Sequence, residues 1–335
     1  MSLVMVSGTP LLLIILLAIL FIVLASSVGK LHPFLSLVMA ALGLGFAVGM
    51  PAGEIAATLT SGFGAITGSI GLIIVFGTVI GVALEESGAA SRIAESLVKS
   101  FGPRKIVLAM SCVGGFIGIP VFCDSGFIIL SKLAAKLGRQ TGKSPLSISI
   151  AVATGLYATH VLVPPTPGPL AAAGNYGVGG YLGQVILVGL LLAVPGVLAG
   201  YWWAVRQGRL LAGDEPAGKE TLPGPAQVKP AEKQAPDRTT ADEASGNGLP
   251  PLFLSLLPLL LPVLLIACGS AGALMNAPSW VLFAGNPAIA LLLGVFSSFF
   301  LLKKQARTHL NLWIGKALQQ AGPIILITAA GGAFG

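Results

Sequence analysis

Seven stretches of this chain hold no aspartate, glutamate, lysine or arginine: Leu11–Val28, Phe34–Met50, Gly68–Leu84, Leu146–Val163, Leu182–Ala204, Pro251–Cys268 and Ala288–Leu302. Each approaches the roughly 20 apolar residues that carry a helix across the hydrocarbon of a bilayer. Of 335 residues 55% are hydrophobic, 9% are charged and 45 are glycine. Soluble domains carry about 25% charged residues and about 7% glycine, so the balance excludes a soluble fold. Thirteen of the 31 charged residues lie between Ala204 and Pro251, which leaves the rest of the chain almost neutral. The fold class expected is an all-α integral membrane protein.

The net charge of +7 is not a nucleic-acid footprint. Its cations flank apolar runs, as in Arg104-Lys105 and Lys303-Lys304, which is how cytoplasmic anchors are placed. Cys112, Cys123 and Cys268 sit inside apolar runs without metal-ligand or disulfide spacing, and buried thiols are expected. No basic segment precedes the first apolar run, so it reads as a span rather than a cleaved leader. Lys30, the Glu85–Lys105 segment and the Lys132–Lys143 segment carry the basic residues, whereas Pro51–Gly53 carries none. The positive-inside rule then places the N-terminus outside.

Two places break simple alternation. Residues 106–131 are apolar, yet basic clusters flank both ends, and the middle reads Gly118-Ile119-Pro120-Val121-Phe122-Cys123-Asp124-Ser125-Gly126. A hairpin that dips in and returns to the same face satisfies both facts; the alternative is a pair of short distorted spans. Irregular backbone survives at membrane depth only where protein or a cavity surrounds it. The second break is Val163-Pro164-Pro165-Thr166-Pro167-Gly168-Pro169. Four prolines in six residues remove four backbone donors, so the helix over 146–177 is expected to unwind there and resume from Leu170.

The chain also resembles itself. Gly68, Ile70, Leu72, Ile73, Gly77 and Gly81 recur as Gly322, Ile324, Leu326, Ile327, Gly331 and Gly335, and Pro33 and Leu37 recur at the same offset as Pro287 and Leu291. The two copies start from opposite sides of the bilayer, which makes the repeat inverted, as in many secondary transporters. The expected organisation is a first repeat over 1–204, a disordered cytoplasmic linker over 205–250, and an incomplete second repeat over 251–335. By the repeat arithmetic a complete protein of this design runs to about 450 residues, so a C-terminally truncated chain is expected.

Asp124 is the sharpest chemical signal. Acids inside a membrane are by default functional candidates, and Asp124-Ser125-Gly126 opens the returning helix. Free N–H groups there can hold an anion; the plainer role is that Asp124 caps the helix. His160, just before the proline break, suits proton coupling or is a neutral imidazole bonded to a neighbour. Thr159 and Thr166 offer hydroxyls to a solute or to their own backbone, and Asn175 is a polar contact or an ordinary loop residue. Glu85 and Glu86 are expected at the cytoplasmic interface. Arg92, Glu95 and Lys99 are expected on an amphipathic surface helix.

At these residues the sequence resembles the gluconate permease family, gluconate:proton symporters of bacterial cytoplasmic membranes. The resemblance is carried by Gly68–Gly88 (GSIGLIIVFGTVIGVALEESG), Pro120–Leu130 (PVFCDSGFIIL), His160–Gly174 (HVLVPPTPGPLAAAG) and Gly322–Gly335 (GPIILITAAGGAFG). A second Asp-Ser-Gly motif that members carry late in the chain does not occur in this sequence. The resemblance implies an ion-transporter-superfamily architecture, with two inverted repeats whose hairpins and broken helices meet at mid-membrane. It further implies uptake of gluconate or related small hydroxylated carboxylates with protons. This fits the reading of the residues themselves, which expects Asp124, Ser125, Gly126, Thr159, His160 and Thr166 at the solute and Asp124 and His160 in proton coupling. Pro120, Pro164, Pro165, Pro167 and Pro169 would shape the breaks. No cofactor, metal or catalytic residue is expected, and a homo-oligomer stays open. The rival readings are a sodium-coupled carboxylate carrier, a passive channel, and an intramembrane enzyme using Asp124 and His160. The last lacks a His-Glu-x-x-His or Gly-x-Ser-x-Gly pattern.

Overall fold

A computed structural model describes residues 8–178, 181–211, 249–301 and 310–335. All of its regular structure among those residues is helical. The helices are α1 (Thr9–Ser27), α2 (Pro33–Ala47), α3 (Ala52–Glu86), α4 (Ala89–Phe101), α5 (Ile106–Ile117), α6 (Cys123–Thr141), α7 (Pro145–His160), α8 (Pro167–Asn175), α9 (Leu182–Leu211), α10 (Leu252–Leu274), α11 (Ser279–Ala284), α12 (Pro287–Ser298) and α13 (Leu310–Phe334). Among them α1, α3, α9, α10 and α13 are long and apolar enough to cross a membrane. The chain is thus a multi-pass membrane protein. Leu12, Leu16, Leu20 and Leu24 are at least half exposed along one side of α1, the spacing of a lipid-facing stripe.

With no hydrophobic drive between helices in lipid, close packing falls to small residues. In α9 the stripe Gly196, Gly200, Ala204 and Gly208 faces α7: a Cβ at Gly200 would meet Thr154, and one at Gly208 would meet Ser147. The Ser147 hydroxyl donates to the Ala204 carbonyl at 2.7 Å, and the Ser111 hydroxyl of α5 donates to the Val197 carbonyl at 3.0 Å. Between α5 and α7, Gly114 packs on the Val152 carbonyl, Gly155 on the Ser111 carbonyl and Gly118 on the Leu156 carbonyl. Gly115 also approaches the Gly155 carbonyl, and the contacts of Gly114 with Val152, Gly115 with Gly155 and Gly118 with Leu156 rise together in number, so α5 and α7 run parallel.

The chain then turns over residues 118–122, and α6 comes back. Gly126 packs on Leu156 and Gly138 on Pro145, so α6 runs antiparallel to α7. The first residues of α5 and the last of α6 therefore lie at the same end of α7. α6 continues to Thr141, ten residues beyond the segment expected to fold back, because Leu130, Ala134 and Gly138 keep one face buried.

α3 and α13 form the most extensive helix pair, and they are antiparallel. Gly62, near the start of α3, packs on Gly332, near the end of α13. At the opposite end Lys316 Nζ lies 2.6 Å from Glu86 and 3.5 Å from Glu85. α2 lies on α13, and α12 lies on α3. α2 and α12 begin alike: His32 and Asn286 each accept a hydrogen bond from the N–H two residues on, and Pro33 and Pro287 follow at the first helical position. Proline is favoured there because its missing donor has no intrahelical partner to lose.

Three expectations change. The second half-helix starts at Pro167, not Leu170, because Pro167 and Pro169 occupy a first turn whose N–H groups have no helical acceptor. Of the cysteines only Cys123 is buried; Cys112 is half-buried and Cys268 is exposed. An apolar run does not tell which of its faces meets lipid. Third, α9 runs to Leu211, past the linker boundary at 205. The remainder of that linker, 212–248, lies outside the described residues, as do Lys303 and Lys304.

Candidate functional site

Two glycines one turn apart on α3 place the site. Gly81 meets the turn between α5 and α6: a Cβ there would stand 2.6 Å from the Pro120 carbonyl oxygen. Gly77 meets the proline break: a Cβ there would stand 3.4 Å from the Pro165 ring. A larger side chain at Gly81 would hold the turn off the helix. The break itself spans Val161–Thr166, between α7 and α8, and its Pro164–Pro165 peptide is cis.

These approaches enclose a narrow cleft lined by Ile74, Gly77 and Thr78 of α3, Ile119–Phe122 of the turn, and His160, Pro165 and Thr166 of the break. Among the described residues, His160 is the only titratable group that lines it. The ring stacks edge-on against Phe122 with centroids 6.0 Å apart, and its Nδ1 is buried without a hydrogen-bond partner. An unsatisfied buried ring nitrogen in a cleft marks a place for a proton or a polar solute atom.

The threonines are less available. The Thr166 hydroxyl donates to the Val163 carbonyl at 2.7 Å, and Thr159 donates weakly to the Leu156 carbonyl at 3.3 Å. Both are buried, and Thr159 does not line the cleft. Asp124, Ser125 and Gly126 lie beside the cleft rather than in its wall. They are the second to fourth residues of α6, whose N-cap is Phe122 with no side-chain cap bond. The capping role for Asp124 therefore gives way: Asp124 is exposed, Ser125 half-buried and Gly126 buried. The N–H groups of Cys123, Asp124 and Ser125 precede the first bond of the helix, Gly126 N–H to the Phe122 carbonyl at 2.8 Å, and stay free for a solute. α8 offers fewer donors, since Pro167 and Pro169 have none.

Pro120 and Pro165 line the cleft and, with Pro164, a wholly apolar cavity behind it reached by Pro258 and Pro262 of α10. Pro169 faces a separate groove against α9. The side chains of Pro167 and Asn175 lie outside the described residues. Sequence reasoning missed Thr78, Phe122 and the seating role of Gly77 and Gly81. The Gly-x-x-x-Gly spacing was the signal available for the last two. Glu85 and Glu86 belong to the ion cluster with Lys316 and do not line this cleft.

The profile of the GntP family permease matches residues 10–335. The chain is 35% identical over 322 residues to an uncharacterized permease of Haemophilus influenzae, covering 91% of this chain and 63% of that protein. It is 32% identical to a gluconate permease of Pseudomonas aeruginosa, covering 91% and 66%. With a Gnt-II system L-idonate transporter of Escherichia coli it is 29% identical, covering 91% and 66%. The chain thus spans about two thirds of the length of the curated relatives it matches. No solved structure matches it. With the profile matched from residue 10 to the last residue, this chain belongs to the GntP family of permeases, a family of transporters and not of enzymes.

Proposed function

We propose that the protein is a secondary active carrier that takes up gluconate, or a related small hydroxylated carboxylate, with protons across the bacterial inner membrane. The observation that carries this reading is the meeting of both backbone breaks on the glycine face of α3, with the unpartnered His160 nitrogen between them. Gly77 stands nine residues from the end of α3, about 14 Å along the helix. That is close to half of a roughly 30 Å hydrocarbon layer. Interrupted helices at that depth are where carriers bind solute. Relatives named for gluconate and L-idonate supply the substrate class.

Two architectural readings accompany it. α5, the turn and α6 form a re-entrant hairpin, supported by the common end that α5 and α6 share along α7. The inverted repeat is supported by the antiparallel α3–α13 pair and by the exchange in which α2 lies on α13 and α12 on α3. Basic residues Arg92, Lys99, Arg104, Lys105, Lys136 and Arg139 cluster at the ends that face the cytoplasm, which leaves the N-terminus outside.

Coupling follows from repulsion. An anionic solute at the free N–H groups of α6 would face the Asp124 carboxylate on the same turn, and like charges there oppose binding. A proton on Asp124 removes the opposition, so solute and proton bind together; His160, in the cleft wall, is a second group on which a proton can be held. In full-length protein reconstituted into liposomes, Asp124→Asn should abolish gluconate accumulation driven by a pH gradient while leaving gluconate exchange. Undiminished pH-driven accumulation by that variant overturns the coupling. Accumulation that follows sodium and stops in choline would instead identify a sodium-coupled carrier.

A further inference from the structure

One face of α6 is left unpacked. Leu130, Ala134 and Gly138 are buried, while Asp124, Ile128, Lys132, Lys136 and Arg139 are exposed, Ile128 at 64%. Steps of four, four, four and three residues keep the exposed set within about a third of the helix circumference. A carboxylate therefore stands at the tip of the returning helix and three cations follow it down the same side. No acid lies between Lys132 and Thr141. The neighbouring ends add Arg104 and Lys105 at the start of α5 and Lys143 after α6. On α4, Arg92 and Lys99 outnumber Glu95.

Depth makes this face informative. α5 has 12 residues and rises about 18 Å from the Arg104–Lys105 anchor to the turn. Lys132 lies eight residues, about 12 Å, back from Asp124, so its Cα sits about 6 Å deeper than that anchor. Charged side chains at such depth face water or protein, or carry their charge back to the interface along an apolar stem. α6 is too polar to stand among the helices apolar enough to span.

We infer that the Asp124–Arg139 face of α6 lines a water-filled vestibule open to the cytoplasm, whose cations Lys132, Lys136 and Arg139 draw the carboxylate solute between the cytosol and the hairpin tip. A wall of one charge sign with low-dielectric surroundings concentrates counter-ions. The ladder runs along the depth axis for about 10 Å from Lys132 to Arg139. Lipid phosphates lie in one interfacial plane, so a ladder of that height suits a passing anion better than a bound headgroup. This inference rests on the carrier and hairpin readings above.

The test places a single thiol at Ile128→Cys, or at Ala135→Cys on the same face, in a background with C112A, C123A and C268A and any further cysteine of the full-length protein replaced. Sulfonatoethyl and trimethylammonioethyl methanethiosulfonates are applied to inside-out vesicles. Taking each rate relative to that reagent's rate with a small free thiol in the same buffer, the anionic reagent should react faster by about tenfold, and K132Q/K136Q/R139Q should erase that preference while leaving the thiol reactive. Equal rates, or a preference for the cation, overturn the electropositive vestibule. Thiols at both positions that resist both aqueous reagents show the face covered and overturn it too. The covering is lipid if thinning phosphatidylglycerol in the vesicles changes parent uptake but not uptake by the triple variant. Reaction only from the external side overturns the hairpin reading itself, which keeps the two failures apart.

Discussion

At the scale of single residues, glycine at 81 is fixed by geometry rather than by flexibility. Its φ is ordinary for a helix, and what forbids a side chain is the Pro120 carbonyl oxygen 2.6 Å from where Cβ would be. Gly68, two turns or more away on the same helix, meets nothing within 4 Å. Gly81→Val should therefore lose gluconate uptake and lower stability by about 1–3 kcal/mol, the usual cost of overpacking. Gly68→Ala should be neutral or slightly stabilising, since alanine restricts the unfolded chain. Thermal melts of the two variants in detergent, with uptake assays alongside, check the contrast. The same reasoning separates His160 from Thr166. The threonine hydroxyl has spent its donor on Val163, whereas the imidazole Nδ1 has no partner.

Helix pairing depends on surfaces without side chains. The α7–α9 contact uses Gly196, Gly200, Ala204 and Gly208 in steps of four, with the Ser147 hydroxyl bonded across it. Gly200→Leu would drive a branched side chain into Thr154 and part the helices, so a broadened or aggregated elution profile and a lower melting temperature are expected. Ser147→Ala removes one interhelical bond without changing the approach and should cost only about 0.5–1.5 kcal/mol, with a monodisperse profile retained. Size-exclusion chromatography distinguishes the two. This contrast matters because α7 carries His160 at its end, and a shift of α7 moves the cleft wall.

Across the whole molecule, the proposed hairpin of α5 and α6 would put their basic clusters on one side of the bilayer. Ser100, near the end of α4, and Gln140, near the end of α6, are both exposed. Thiols introduced as Ser100→Cys and Gln140→Cys should both react with an impermeant maleimide from the cytoplasmic side and neither from outside. Labelling from opposite faces would turn the hairpin into a crossing and put α7 the wrong way up. At the other flank of the molecule, Lys316 joins Glu85 and Glu86. It ties the start of α13 to the end of α3, although such partly exposed pairs contribute only about 0–1 kcal/mol. At the far end of the same pair the backbones themselves come together at Gly62 and Gly332.

Charge-free runs of membrane length determined, without any coordinates, that the chain is helical and multi-pass, because lipid leaves backbone groups no partner except their own helix. The same sequence marked both breaks, since prolines and an acid inside apolar runs violate the local rule that builds spans. The family resemblance implied that the breaks meet, but no local pattern said what seats them. Pro120 and Pro165 are far apart in sequence and line one cleft with Gly81 and Gly77 of α3 seating them, a long-range steric match that no local pattern encodes. Nor could the sequence orient the cations of α6: the period of four was readable, but which face of an amphipathic helix is covered is decided by its neighbours. Composition fixed the solvent of this protein, and packing between distant helices decided where its polar atoms point.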